Sequence, residues 1–295
     1  MTRRFSVSPA AKINLHLEFL GRRSDGYHEL RTLYQSIDLR DRLVVEEATD
    51  DELGLVVEPE GAVESGAENL VLRAASLVKR TTGCERGARF LLRKSIPAEA
   101  GLGGGSADAA AAIVLLDRLW GCGIGPDGMD AIARELGSDV PFFLQGGLAI
   151  GSGRGDEITL LQDLRAFSVV VAVPEARVPT PKAFDLLAHR LTSHRPEGTL
   201  DALAVGLRGR LDWREMTNEF EETVLGGWPE VGEGLRTLRS LDPVHASLSG
   251  SGAASFAVFE NPEAALVAAA GLPTNWFVHV GHTVPRSSAR LEVEE

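Results

Sequence analysis

The stretch Ile96–Trp120, IPAEAGLGGGSADAAAAIVLLDRLW, places Gly101, Gly103, Gly104, Gly105 and Ser106 directly ahead of an Ala-rich apolar run. Glycine loses more backbone entropy on folding than any other residue, so such a cluster needs a reason; the usual one is close approach to the backbone. The run Ala107 to Leu119 is strongly helical and Ser106 is a good N-cap, so the segment is expected to be a glycine loop emptying into a helix. The first amides and the helix dipole, about half a unit charge at the terminus, then aim at one spot, and that spot suits phosphate. On these residues alone a flexible turn before a buried helix remains the competing explanation. A Walker A loop is excluded because no Lys follows the glycines, and a GxGxxG fingerprint fails because Ser106 stands where its last glycine is required.

At 295 residues the chain is long enough for one large or two fused domains. The net charge of -12 argues against nucleic acid as a partner. Residues 1–40 nevertheless carry seven Lys/Arg against four Asp/Glu, so an anion would have to be bound locally, by amides and a few cations. No apolar segment is long enough to span a bilayer, and the N-terminus lacks the apolar core of a signal peptide, so no membrane partner and a cytoplasmic setting are expected. Cys84 and Cys122 form no CxxC pair and are expected as small packing residues. The histidines show no HExxH-like spacing, so no protein-held metal is expected.

In AKINLHLEFL, Ile13, Leu15, Leu17 and Phe19 alternate with Lys12, Asn14, His16 and Glu18, which predicts a half-buried strand with Lys12 and Asn14 on its polar face. Further strands are expected at 41–47, 88–95, 146–153, 167–174, 254–259 and 275–281. Helices are expected at 68–81, 106–120, 127–137, 180–191, 217–225, 231–241 and 262–270. A strand-rich first part and a mixed second part predict an α+β architecture, with a seam near 155–175 dividing domains 1–160 and 161–295. Residues 193–203 read as a surface loop.

Three motifs in one order now carry a resemblance. PAEAGLGGGSADAAAA resembles the phosphate loop P-x-x-x-G-L-G-S-S-A of the GHMP small-molecule kinases. The segment from Ser8 to Asp41 and the late glycine loop SLSGSGAASFAVF (247–259) fit the same family, and NEFE (218–221) stands for its usual N-D-L-E. The likeness runs from about Pro9 to Phe259. One departure is Ala107, where many relatives carry a second Ser. The resemblance implies the GHMP fold, with two domains and the active site in the cleft between them. It also implies phosphoryl transfer from ATP, with Mg²⁺ held mainly through the ATP phosphates, to the alcohol of a small molecule.

Within the family, GRRSDGYHEL (21–30) and LGSDVPFF (136–143) point to a cytidyl-bearing substrate, 4-diphosphocytidyl-2-C-methyl-D-erythritol, phosphorylated on its 2-hydroxyl in the non-mevalonate isoprenoid route. The alternatives are a homoserine- or mevalonate-type kinase, or a nucleotide sensor without catalysis. The resemblance implies Asp139 as general base, with an Asx turn or cap as its structural alternative, and Lys12 as its cationic partner. Asn14 shares the strand face with Lys12 and is expected on substrate or phosphate oxygens. Tyr27 and His28 are implied to hold the cytosine ring, with Phe184 and Thr180 as the opposite wall. The ATP site is expected to comprise Gly101, Leu102, Gly103, Gly104, Gly105 and Ser106. Lys94, Asn69 and Leu70 are expected beside the adenine, although Lys94 reads equally well as a surface residue. Ser249, Gly250 and Gly252 lie in a second glycine turn that the resemblance implies approaches the triphosphate or substrate, with an ordinary hairpin as its alternative. Asp156 and Glu157 carry no derivable role. The assembly is expected to be a monomer or homodimer.

Overall fold

The computed structural model describes residues 3–190 and 211–295, so the loop expected at 193–203 and the last residue of the helix expected at 180–191 lie outside the described residues. In chain order the strands are β1 (Arg4–Val7), β2 (Ala10–Arg22), β3 (His28–Arg40), β4 (Arg42–Glu47), β5 (Leu53–Glu58), β6 (Ala88–Arg93), β7 (Leu148–Ser152), β8 (Glu157–Leu160), β9 (Ser168–Val173), β10 (His245–Leu248), β11 (Ser255–Phe259) and β12 (Phe277–His282). The helices are α1 (Leu70–Thr82), α2 (Gly104–Trp120), α3 (Gly125–Leu136), α4 (Val140–Gln145), α5 (Thr180–Arg190), α6 (Phe220–Gly227), α7 (Pro229–Arg239), α8 (Pro262–Ala270) and α9 (Arg286–Ala289).

Among the described residues three four-stranded sheets form, with orders β1-β4-β6-β5, β2-β3-β7-β8 and β10-β11-β9-β12. Within these sheets the strand pairs of the described residues are antiparallel apart from β5 with β6, which run parallel because α1 crosses between them. This mixture is the α+β architecture expected. The expected strands and helices are present to within a few residues. β1, β3, β5, β8, β10, α4 and α9 come in addition. β3 escapes a period-2 reading because its pairing with β2 shifts register at three places and because polar and apolar residues are buried on both of its faces.

The described residues form two hydrophobic clusters. One packs α1, α2, α3 and α4 on the first sheet; the other joins Ile13, Leu15, Leu17, Leu33 and Ile37 of the second sheet to the third sheet and α6, α7 and α8. α2 runs through the first cluster with Ala107 to Ile113 buried, Asp108 among them, so its small side chains let α1, α3 and α4 approach on several sides. A larger residue at Ala110 would overpack this helix by about 1–3 kcal/mol.

The half-buried strand expected over β2 is corrected. Lys12, Asn14, His16 and Glu18 are as buried as the apolar face opposite them. The polar face is covered by chain from far away: the Thr217 amide donates to His16 Nδ1 at 3.1 Å, and Gly250 stands against Asn14. Buried polar groups persist only when bonded, so this face marks where the halves of the chain meet around a polar site.

Candidate active site

The glycine loop and the late turn interlock. The Ser249 hydroxyl donates to the Gly101 carbonyl at 2.8 Å and the Ala254 amide to the Ala100 carbonyl at 2.9 Å. A β-carbon on Gly101 would stand 2.0 Å from the Ser249 carbonyl oxygen, and Gly101 also has φ of 80°, so this position tolerates glycine alone. Asn218 fixes the opposite edge, its amide donating to the Leu248 and Gly250 carbonyls at 2.9 and 2.8 Å.

The N-cap expected at Ser106 is corrected: the helix begins at Gly104, after Gly103 in the left-handed conformation, and no side chain caps it. Glycine at φ 73° lets the cap fall three residues earlier, at Gly103, which leaves Ser106 in the first turn, lining the cleft. Among the described residues no protein group accepts from the amides of Gly104, Gly105 or Ser106. Together with the open α2 N-terminus, these amides form the cradle a phosphate requires. Ala107 points into the core and is fully buried, so the departure from the family pattern falls on a packing position.

On the floor of the cleft Lys12 Nζ lies 3.4 Å from Asp139 Oδ2, and the Tyr34 hydroxyl donates to Asp139 Oδ1 at 2.9 Å. Asp139 stands at the N-terminus of α4 but makes no cap bond, so its carboxylate is turned into the cleft and the cap alternative is not adopted. Lys12 donates to Asn14 Oδ1 at 2.6 Å, Asn14 to Thr32 Oγ1 at 2.6 Å and Thr32 to the His16 carbonyl at 2.8 Å, a continuous buried chain across β2 and β3. Burial, then the Asp139 charge, pushes the Tyr34 phenol well above its usual range, so it keeps its proton. Lys12, Asn14, Tyr34, Gly101, Ser106, Asp139, Thr180, Phe184 and Gly250 line one cavity of 290 Å³.

A second cavity of 380 Å³ shares Ser138, Arg154, Thr180 and Phe184 with the first and adds Tyr27 and His28. The two implied walls meet directly: the His28 and Phe184 rings stack at 4.8 Å and 2°. The Tyr27 ring is half exposed with the Arg154 guanidinium 4.7 Å from its centroid. Burial and the Arg22 charge lower the His28 pKa, which favours a neutral ring. Asp156, which carried no role in the sequence, binds Arg154 at 2.6 Å and thereby holds it over Tyr27; Glu157 reaches no further than Ser152 at 3.4 Å. The Ser251 hydroxyl donates to Thr180 at 3.3 Å, which ties the late turn to α5.

Lys94 is not on the surface. Its ammonium is buried between Asp41 at 2.5 Å and Asp108 at 2.8 Å, behind the loop and against Gly104. Asn69 spends its side chain on α1, accepting from the Val71 amide at 2.9 Å and donating to the Glu64 carbonyl at 2.6 Å, while Leu70 packs beside Gly105. Sequence reasoning missed Tyr34 and Arg154 in the cleft; the TLYQ run of β3 offered no pattern that singles out Tyr34, and Arg154 sat in a turn already noted for its glycines.

Residues 69–147 match the family model described as GHMP kinases N terminal domain. The chain is 38% identical over 262 residues to the 4-diphosphocytidyl-2-C-methyl-D-erythritol kinase of Pelotomaculum thermopropionicum, covering 88% of this chain and 91% of that protein. It is 41% identical over 258 residues to the enzyme of the same name from Salinispora arenicola, covering 84% and 81%. A crystal structure of 4-(cytidine 5'-diphospho)-2C-methyl-D-erythritol kinase superposes with a TM-score of 0.78 at 37% identity, covering 96% of this chain and 99% of that one. The homoserine kinase of Cytophaga hutchinsonii, at 18% identity and a TM-score of 0.74, shares the fold. With the glycine cradle, the Lys12–Asp139 pair and these relatives in agreement, the chain belongs to the 4-diphosphocytidyl-2-C-methyl-D-erythritol kinase family of GHMP kinases.

Proposed function

We propose that the chain transfers the γ-phosphoryl group of ATP to the 2-hydroxyl of 4-diphosphocytidyl-2-C-methyl-D-erythritol, giving the 2-phosphate and ADP, in the non-mevalonate isoprenoid route. The observation that carries the reading is the Asp139 carboxylate, held by Tyr34 and faced by Lys12 at the floor of a cleft that also contains the glycine loop. ATP use follows from the family, and the unpartnered α2 amides fit its phosphates; Mg²⁺, bound through those phosphates, supplies charge neutralisation when present.

In this reading Asp139 accepts the proton of the substrate hydroxyl as phosphoryl transfer proceeds. Lys12 keeps the carboxylate charged and offsets charge on the moving group. Asn14, locked by Thr32 and Lys12, presents a fixed polar edge to the substrate. Cytosine binds in the cavity of Tyr27, His28 and Phe184, where the exposed Tyr27 ring offers a stacking face and the neutral His28 offers ring nitrogens for hydrogen bonds. Because His28 and Phe184 already touch, Phe184 has to swing off His28 if a base is to lie between them. Ser249, Gly250 and Gly252 brace the glycine loop. Lys94 supports it from behind, and Asn69 and Leu70 set the start of α1 beside it. The seam near residue 160 divides an ATP-binding part from a part that contributes α5 and the late turn, and the charged, soluble substrates fit a cytoplasmic setting.

ADP release from ATP and Mg²⁺ with the cytidyl substrate, run beside mevalonate, homoserine and galactose, tests the proposal. Turnover with the cytidyl substrate alone is expected. Turnover with another alcohol only would discard the cytosine site, and silence with all of them would favour a nucleotide sensor.

A further inference from the structure

We infer that Tyr34 is a positioning residue for phosphoryl transfer, one that fixes which oxygen of Asp139 receives the substrate proton; the inference rests on the kinase reading above. The Tyr34 hydroxyl donates to Asp139 Oδ1 at 2.9 Å, while Lys12 faces Oδ2 at 3.4 Å, an ion-pair distance without a hydrogen bond. One carboxylate oxygen is tied down and the other is left toward the cation and the cleft. Asp139 makes no cap bond to α4, so no backbone bond of its own helix restrains rotation about its Cβ–Cγ bond.

The surroundings are cut to this phenol. A β-carbon on Gly151 would lie 2.5 Å from Tyr34 Cε2, and one on Gly155 would lie 2.8 Å from the hydroxyl oxygen. Gly155 has a left-handed backbone and would be glycine on that ground alone, with φ of 93°. Gly151 has no positive φ: it sits inside β7, where glycine weakens a strand, and the space a β-carbon would need is taken by the Tyr34 ring together with the Gly155 carbonyl at 2.8 Å. The Gly155 carbonyl, 3.3 Å from the hydroxyl, is a second acceptor for its single proton, and the shorter, charged contact to Asp139 at 2.9 Å is the stronger of the two. Burial keeps the phenol protonated, so it remains a donor while Asp139 gains and loses its proton.

Tyr34→Phe keeps the ring in its slot and removes only the hydroxyl. The expected result is a kcat lowered about 10- to 100-fold, the scale of a misplaced catalytic group, with KM for ATP and for the cytidyl substrate within about threefold and an unchanged melting temperature. In an Asp139→Asn background the same substitution should cause no further loss. A kcat within twofold of the parent, or a loss confined to KM and melting temperature, overturns the inference. If Asp139→Asn itself retains turnover, the base reading fails and the inference falls with it; if Asp139→Asn is inactive while Tyr34→Phe turns over normally, only the inference falls.

Discussion

Lys12 and Lys94 lie against neighbouring glycines of one loop: a β-carbon on Gly103 would stand 3.2 Å from Lys12 Cε, and one on Gly104 would stand 3.1 Å from Lys94 Nζ. Both lysines are buried and both face carboxylates. Lys94 holds Asp41 and Asp108, whose side chains are 0% and 3% exposed, at full hydrogen-bond contact. Lys12 faces Asp139, 32% exposed, at a longer distance, and gives its short bond to Asn14 instead. Asp41 also accepts the Ser95 and Ile96 amides at 2.6 and 2.9 Å, which pins the strand end leading into the loop. A buried cation held by two sealed carboxylates has its charge already paired and serves as scaffold. A cation with one loosely held, half-open carboxylate can still act on something that enters. The loop between them has a sealed back and a half-open front.

The contrast can be broken most directly at its front. Asp139→Ala should lower turnover by about 10²- to 10⁴-fold while the melting temperature and ATP binding hold, checked by steady-state rates beside nucleotide titration. A large fall in melting temperature would make Asp139 a structural residue like Asp41. At the back the expectation inverts. Lys94→Met leaves two buried carboxylates facing each other without a cation and should cost about 3–5 kcal/mol of stability, read by urea unfolding. Unchanged stability there would make Lys94 available to the nucleotide after all.

Gly101→Ala tests whether front and back are coupled through the loop. The forced contact with Ser249 and the strained φ should cost about 1–3 kcal/mol, with a weakened affinity for ATP measured in the same titration. The smallest effect concerns pH. Burial pushes the Asp108 carboxyl up to about 7 against the pull of Lys94, with Asp41 pushing the same way. A folded-state value above the unfolded one means stability is fullest below about 4 and declines as pH rises through about 7. Asp108→Asn should flatten the fall in melting temperature between pH 5 and pH 8; an unaltered slope would show that Asp108 does not titrate in that window.

Much of the cleft was legible because its signals are local. The glycine loop, the run of alanines behind it and the alternation that sets Lys12 and Asn14 on one strand face all lie within short windows. The cap was misplaced by three residues, at Ser106 instead of Gly103, because a serine before a helical run is a good cap, whereas a glycine at positive φ can start the helix without one. Tyr34 was missed because its partner Asp139 is 105 residues away and its slot is made by two glycines of β7 and the following turn. Arg154 and Asp156 looked like turn residues, and acquire meaning only once Tyr27 is brought over the guanidinium.

By itself, then, the sequence determined the periods, the turns and the motif order: which segments become strand or helix, which glycines can take left-handed backbone, and which family the three motifs match. Those depend on backbone sterics and on neighbours in the chain. Only the tertiary structure decided that β2 is buried on both faces, that Lys94 is sealed between Asp41 and Asp108, and that Lys12 meets an Asp139 still open to the cleft. The physical reason is that burial and charge pairing are set by whatever distant segment covers a residue, and one lysine in a strand looks like another until its partners arrive.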